Sequence, residues 1–228
     1  MNDNKTAHLA HEYDNKIEKT IPQYKFFHDE TIDLIKTLHP SPSTWLDTGC
    51  GTGSLIDKAV QFFGNTSFIL ADPSEAMLSI AREKFSKTEN LKTQYLCVGT
   101  QDIDYPKESF DVITAIQSHH YLDFDTRKIA TANSFRLLKQ GGIYVTFENI
   151  RPNTEKGTQI GLERWKRFQL RQGKSEEEAN KHIERFGMEY YPITIDSHIS
   201  ILHDVGFCTV EVLWVSNMQA GFYGVKTY

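Results

Sequence analysis

The chain is expected to be an α/β protein with a mostly parallel sheet covered by helices on both faces. Three observations predict this. Between residues 44 and 148, short apolar runs alternate with segments of helical spacing. The first such run ends in a glycine-rich turn, and a length of 228 residues suits a single large domain.

Residues 44–47, 67–71, 93–98, 110–116 and 143–148 have the β-branched and aromatic content of strands and are too short for helices. Residues 53–63, 74–85 and 125–138 carry helical spacing between them. "KQGG" (139–142) is expected to stop the last of these helices, a cation followed by glycine being a common terminator. Past Glu148 the rhythm changes. Residues 151–191 hold no strand pattern but two helical stretches, one over 159–171 and one starting at "SEEE", where Ser175 and Glu178 fit a capping box. "PITIDSHISILHDVGF" then predicts a helix ended by Gly206, and "CTVEVLWVS" with "GFYGVKTY" a closing antiparallel hairpin. The expected organisation is one domain: an N-terminal helical cover (1–40), a core (41–150), a helical insert (151–192), and a final helix with the strand pair (193–228). The polar residues before Tyr13 are expected to fray.

Composition narrows the setting. Hydrophobic residues make up 39% and charged residues 24%, and no apolar run approaches the roughly 20 residues of a membrane helix. The start, "MNDNKTAHLAHEYD", has neither a basic n-region nor an apolar h-region. Cys50, Cys97 and Cys208 form no C-x-x-C pair, so neither a disulfide framework nor a zinc site is supported. A cytoplasmic protein with no membrane partner is the expectation. A net charge of -5 argues against broad nucleic-acid affinity, while a local basic patch remains available in "RWKRFQLRQGK".

The chemistry begins at "WLDTGCGTGSL". A strand ending in Asp47 leads into Gly49, Gly51 and Gly53 and then a helix, bringing backbone N–H groups and the positive helix end close to a ligand. The spacing is G-x-G-x-G, which departs from both the dinucleotide fingerprint and the P-loop. Asp72 stands 19 residues beyond Gly53 at the end of the second strand, where a carboxylate can accept from both hydroxyls of an unmodified ribose.

With "LDTGCGTGSL", "ILADPSEAML", "VGTQDI", "FDVITAIQSHHYL" and "LLKQGGIYVTFE" in this order, the sequence resembles the class I S-adenosylmethionine-dependent methyltransferases. The resemblance implies a Rossmann-like sheet of seven strands whose last strand is antiparallel. It implies S-adenosyl-L-methionine as cofactor and methyl transfer to a small-molecule acceptor as activity. By position, Asp47 and the backbone of Gly49, Cys50, Gly51 and Gly53 would hold the methionine moiety, and Asp72, followed by Pro73, the ribose. Met77 would pack near the adenine, with Asp102 and Ile103 facing its amino group and ring.

"AIQSHHYL" leaves the fourth strand where an open α/β sheet places its ligand crevice, so Gln117, Ser118, His119 and His120 are candidates for the reacting centre. A histidine suits proton removal from an acceptor near neutral pH, and ordering of the loop is the competing role. His119 is slightly preferred over His120. No metal is expected, since "HLAHE" lacks the H-E-x-x-H order and no ligand set accompanies the His pair. In many methyltransferases of this class a segment like residues 12–24 folds over the cofactor, which would let Tyr13 and Tyr24 close the pocket. Trp165, Arg167, Arg171, Tyr190 and Tyr191 of the insert are candidates for the substrate side.

The layout from Pro22, and again from Trp165 to Lys226, is also similar to the carboxy-S-adenosylmethionine synthase branch, which supplies a carboxymethyl donor to tRNA wobble-uridine modification. That branch carries serine where this chain has Gly51, and only Arg185 stands near the position of the arginine expected to meet the extra carboxylate. These departures favour the ordinary donor. A link to a tRNA pathway, a non-catalytic S-adenosylmethionine-binding subunit and a homodimer are the remaining alternatives for activity and partners.

Overall fold

In a computed structural model describing residues 6–227, seven strands form one sheet in the order β3-β2-β1-β4-β5-β7-β6. They are β1 (Thr44–Thr48), β2 (Ser67–Ala71), β3 (Lys92–Leu96), β4 (Phe110–Ile116), β5 (Leu138–Asn149), β6 (Thr209–Ser216) and β7 (Gln219–Val225). The first five pair in parallel. β7 runs antiparallel to both β5 and β6, so it alone opposes the rest, as expected from the sequence.

Alternating side chains go to opposite faces of a strand, and here both faces are covered. Trp45, Phe68 and Val112 enter one core with Phe27, Ile35 and Phe147, while Leu46, Ile69 and Ile113 enter a second with Leu137, Leu202 and Phe222. All seven residues of β4 are consequently buried, whereas the edge strands β3 and β6 are mostly half-exposed. Since β1 lies between β2 and β4, the chain order reverses there, and the crevice at their carboxyl ends is the natural ligand position.

Helices α3 (Ser54–Ala59), α4 (Glu75–Phe85) and α5 (Phe124–Leu137) link the parallel strands. α3 is shorter than its sequence pattern suggests and finishes in turns through Phe63. "KQGG" does not act as a helix cap. β5 begins at Leu138, directly after α5, and Lys139 instead pairs with Asp111 at 2.9 Å while the Gly141 amide donates to the Lys226 carbonyl at 2.6 Å. The register shift between Phe110 and Val112 lies opposite this entry. The cation and glycines thus build a bulged start to the strand.

α1 (Tyr13–Thr20) and α2 (Tyr24–Leu38) precede the sheet, and α6 (Glu155–Arg171) and α7 (Glu176–Glu184) follow β5. The Ser175–Glu178 capping box is present at α7, and α8 (Ile195–Asp204) is capped by Thr194. Residues 6–12 are more ordered than a frayed end: Ala10–Glu12 form a 3-10 turn, and His8 is buried with its Nε2 2.7 Å from Thr20 Oγ1. The remainder of that expectation, residues 1–5, and the last residue of the final strand segment, Tyr228, lie outside the described residues. No helix among the described residues is long and apolar enough to cross a membrane.

Candidate functional site

A cavity of about 330 Å³ opens at the carboxyl ends of β1, β2 and β4. Tyr13, Tyr24, Asp47, Gly49, Cys50, Gly51, Asp72, Pro73, Met77, Asp102, Gln117 and His119 all line it. Gly53 and Ile103 do not. Ile103 is instead packed into the second core, and Gly53 faces the α4 side.

The three glycines serve different needs. Each has a positive φ, but a Cβ on Gly49 would sit 2.2 Å from Ser118 Cβ, and one on Gly53 2.8 Å from the Phe85 ring. Only at Gly51 would a Cβ meet nothing within 4 Å, leaving open space beside the backbone. Close approach of the chain to itself therefore explains two of the glycines, and of the three only Gly51 has open space where a Cβ would stand.

The acid after β2 is tied to the loop after β1. Asp72 Oδ2 accepts from the Gly51 amide at 2.9 Å and Oδ1 from the Ser74 amide at 2.8 Å, while Ser74 caps α4 through the Met77 amide. Asp47 is buried beneath the loop, and its Oδ1 accepts from Thr114 Oγ1 at 2.7 Å. Burial raises its carboxyl to about 7, the Thr114 bond opposing and the Asp72 charge reinforcing the shift. A cationic group beside Asp47 would favour its ionised form.

The N-terminal segment closes one side. Tyr13 and Tyr24 are held above the ordinary tyrosine range chiefly by burial, and burial also lowers His28 to about 4. A latch not anticipated from the sequence holds this cover: Asp14 Oδ1 accepts from Thr52 Oγ1 at 2.5 Å and Ser54 Oγ at 3.0 Å, and Oδ2 pairs with Lys84 at 3.0 Å.

The adjacent histidines begin a 3-10 turn, His119–Tyr121, and have different partners. The His119 ring lies between Thr100 Oγ1, 3.0 Å from Nε2, and the Tyr144 hydroxyl, 3.1 Å from Nδ1. Burial lowers it to about 4, so it is a neutral brace at the cavity wall. His120 faces a smaller chamber of about 20 Å³, which shares Tyr13, Gln117 and Tyr121 with the cavity. Its Nδ1 is 2.7 Å from Glu148 Oε2, and its Nε2 is 3.2 Å from Asn149 Nδ2. Glu148 also accepts from the amides of both histidines and from Thr146 Oγ1. Burial alone would raise Glu148, but the His120 bond and charge, with His119 and His198 nearby, hold it down to about 2.

Glu148 is thus the carboxylate partner that sequence spacing did not supply. Its only signal was an acid closing the apolar run "IYVTFE". The insert residues divide. Tyr190 and Arg185 line the small chamber, and Tyr191 is exposed with its amide on the His120 carbonyl at 2.7 Å. Trp165 is fully buried away from both spaces, its Nε1 donating to the Thr20 carbonyl at 2.7 Å. Arg167 and Arg171 border a separate concavity on the outer surface. The structure therefore gives Trp165 a packing position and places Arg167 outside the crevice, because the apolar stripe of α6 faces α1 and its arginines lie on the opposite side.

A family model described as a methyltransferase domain matches residues 46–142. Two curated relatives, both named carboxy-S-adenosyl-L-methionine synthase, are similar along nearly the whole chain. That of Helicobacter hepaticus is 27% identical over 217 residues, covering 92% of this chain and 90% of its own. That of Wolinella succinogenes is 28% identical over 216 residues, covering 91% and 88%. Among solved structures, an S-adenosylmethionine-dependent methyltransferase from Clostridium acetobutylicum superposes with a TM-score of 0.65 at 19% identity, over 96% of this chain and 97% of its own. Residues 46–142 are thus similar to a methyltransferase domain, and the whole chain shares the fold of that S-adenosylmethionine-dependent methyltransferase.

Proposed function

We propose that this protein binds S-adenosylmethionine in the cavity at the strand ends and transfers its methyl group to a small acceptor bound beside it. The observation that carries the reading is the convergence of Asp47, the open backbone at Gly51 and Asp72 on one cavity. Asp72 is an acidic group at the end of β2 on the cavity wall, where its carboxylate suits ribose hydroxyls. Asp47, poised at about 7, suits the amino-acid ammonium, and Met77 and Asp102 suit the adenine end.

When bound, the sulfonium supplies an activated methyl group. The chain's own residues position the acceptor, exclude water with the Tyr13–Tyr24 cover, and, for an acceptor that carries a proton, remove it. His120 fits that last role better than His119, whose two ring nitrogens are spent on Thr100 and Tyr144. With Nδ1–H donated to Glu148, the Nε2 of His120 would exchange its Asn149 contact for the acceptor. A cytoplasmic setting is part of this reading, supported by Cys50, Cys97 and Cys208, none of which is in a disulfide among the described residues.

Isothermal titration tests the first half. S-adenosylhomocysteine should bind, and Asp72→Ala should weaken it at least about tenfold, in line with charged hydrogen bonds worth about 1.5–3 kcal/mol; an unchanged affinity would sink the assignment. Turnover across a panel of metabolites separates an enzyme from a non-catalytic S-adenosylmethionine-binding subunit.

A second reading, synthesis or use of carboxy-S-adenosylmethionine, is favoured by the two relatives and by Arg185. That residue is only 8% exposed, pairs with Glu189 and lines the chamber with Tyr121 and Tyr190, and its guanidinium is the group that an extra carboxylate on the donor would need. Mass spectrometry of nucleosides carried by the purified protein decides between the two: a carboxylated sulfonium adduct would replace the methyl-transfer reading and bring the tRNA-linked pathway with it.

A further inference from the structure

The outer surface of α6 carries a second concavity, of about 410 Å³, formed by Arg164, Arg167, Phe168 and Arg171 with Pro22, Gln23 and Asn217. Residues 164, 167 and 171 recur at helical spacing, which places three guanidinium groups on one face. Among the described residues, the only carboxylate recorded within 4.0 Å of any of the three is Glu163, 3.9 Å from Arg167. Lys166 on the same helix is matched by Glu176 at 2.8 Å. A chain with 30 acidic and 25 basic side chains thus gathers three cations around a single hollow, with one carboxylate, at 3.9 Å, recorded beside them.

We propose that this hollow binds a small phosphate-bearing molecule, independently of the donor cavity. Guanidinium groups offer planar, paired donors that match phosphate oxygens, and three around one concavity can engage a phosphate from several sides. The volume lies within the range of small-molecule pockets. Phe168 adds an apolar patch against which the organic part of such a molecule can rest. A long polyanionic strand is the less suitable occupant, since three arginines line this hollow in a molecule of net charge -5.

The site sits behind the cover of the donor cavity. Gln23 joins α1 to α2, whose first residues, Tyr13 and Tyr24, line that cavity, and Trp165 beside Arg164 bonds the end of α1.

The test is titration of the full chain with inorganic pyrophosphate at constant ionic strength. Saturable one-to-one binding is expected, at least tenfold weaker in the double variant Arg164→Gln/Arg167→Gln and unchanged in Asp72→Ala or with saturating S-adenosylhomocysteine. Circular dichroism of the double variant should match that of the parent, these side chains being exposed. Absence of saturation, equal binding of sulfate and acetate, or equal affinity in the double variant would overturn the site. Binding of a mixed-sequence RNA more tightly than pyrophosphate through the same arginines would assign the surface to nucleic acid and overturn the small-molecule proposal. Because the readout needs no donor and no turnover, its failure leaves the methyl-transfer reading untouched, and the reverse holds.

Discussion

At Glu148 a fully buried carboxylate accepts from the amides of His119 and His120, from the His120 ring and from Thr146. This density of donors fixes the loop after β4 and selects the Nδ1–H tautomer of His120. Glu148→Gln keeps the shape and removes the charge. It should lower kcat by about 10- to 1,000-fold on a productive acceptor while leaving S-adenosylhomocysteine affinity within about threefold, measured by steady-state kinetics and titration. That "LDTGCGTGSL" and "ADPSEAML" form neighbouring loops on one crevice was legible from residue type and order alone. The partner of His120 was not, since it lies 28 residues away on a neighbouring strand and no periodicity marks it.

At the scale of the elements, two contacts hold the helical cover. Asp14 near the start of α1 is bound to Thr52, Ser54 and Lys84 around the start of α3 and the end of α4. Asp14→Ala should release the cover, weakening S-adenosylhomocysteine several-fold and speeding tryptic cleavage at Lys16 or Lys19, as followed by gel. Trp165 of α6 secures the other end through Thr20. Trp165→Phe keeps most of the apolar contact and orphans one buried carbonyl, so a loss of about 1–3 kcal/mol in denaturant unfolding is expected, with KM for the acceptor unchanged. An altered KM with intact stability would return Trp165 to the substrate side. The sequence indicated that the insert is helical, but not which face of α6 turns inward.

Across the whole molecule, burial keeps several histidines neutral. His8, His28 and His119 are lowered to about 4, His198 to about 3 and His182 well below its ordinary value, each mainly by desolvation. Their folded values lie below the unfolded value near 6.5, so their stability is fully present above pH 6.5 and is lost as pH falls toward 4. Each should cost on the order of 1 kcal/mol by pH 5. Asp47 acts in the opposite sense, its contribution fading as pH rises from 3.8 toward 7, but it is one group against five. Glu148, held at about 2, adds a further loss only below pH 4.5. The melting temperature should therefore change little between pH 7 and 8 and drop by about 5 °C or more between pH 7 and 5, by calorimetry. A flat profile over the lower interval would show that these rings accept protons in place.

Strand-helix alternation, the antiparallel closing pair and the meeting of Asp47, Gly51 and Asp72 at one sheet edge follow from sequence by itself, because each depends on residues close together in the chain and on the alternating or helical period of its element. Tertiary structure alone decided that Gly49 and Gly53 answer to Ser118 and Phe85, that His119 braces while His120 meets Glu148, and that Asp14 latches the cover. It also decided that Trp165 packs beneath α1 while the arginines of α6 border an outward hollow. Those outcomes join positions up to 145 residues apart, and which distant groups meet is set by how the layers pack over the sheet.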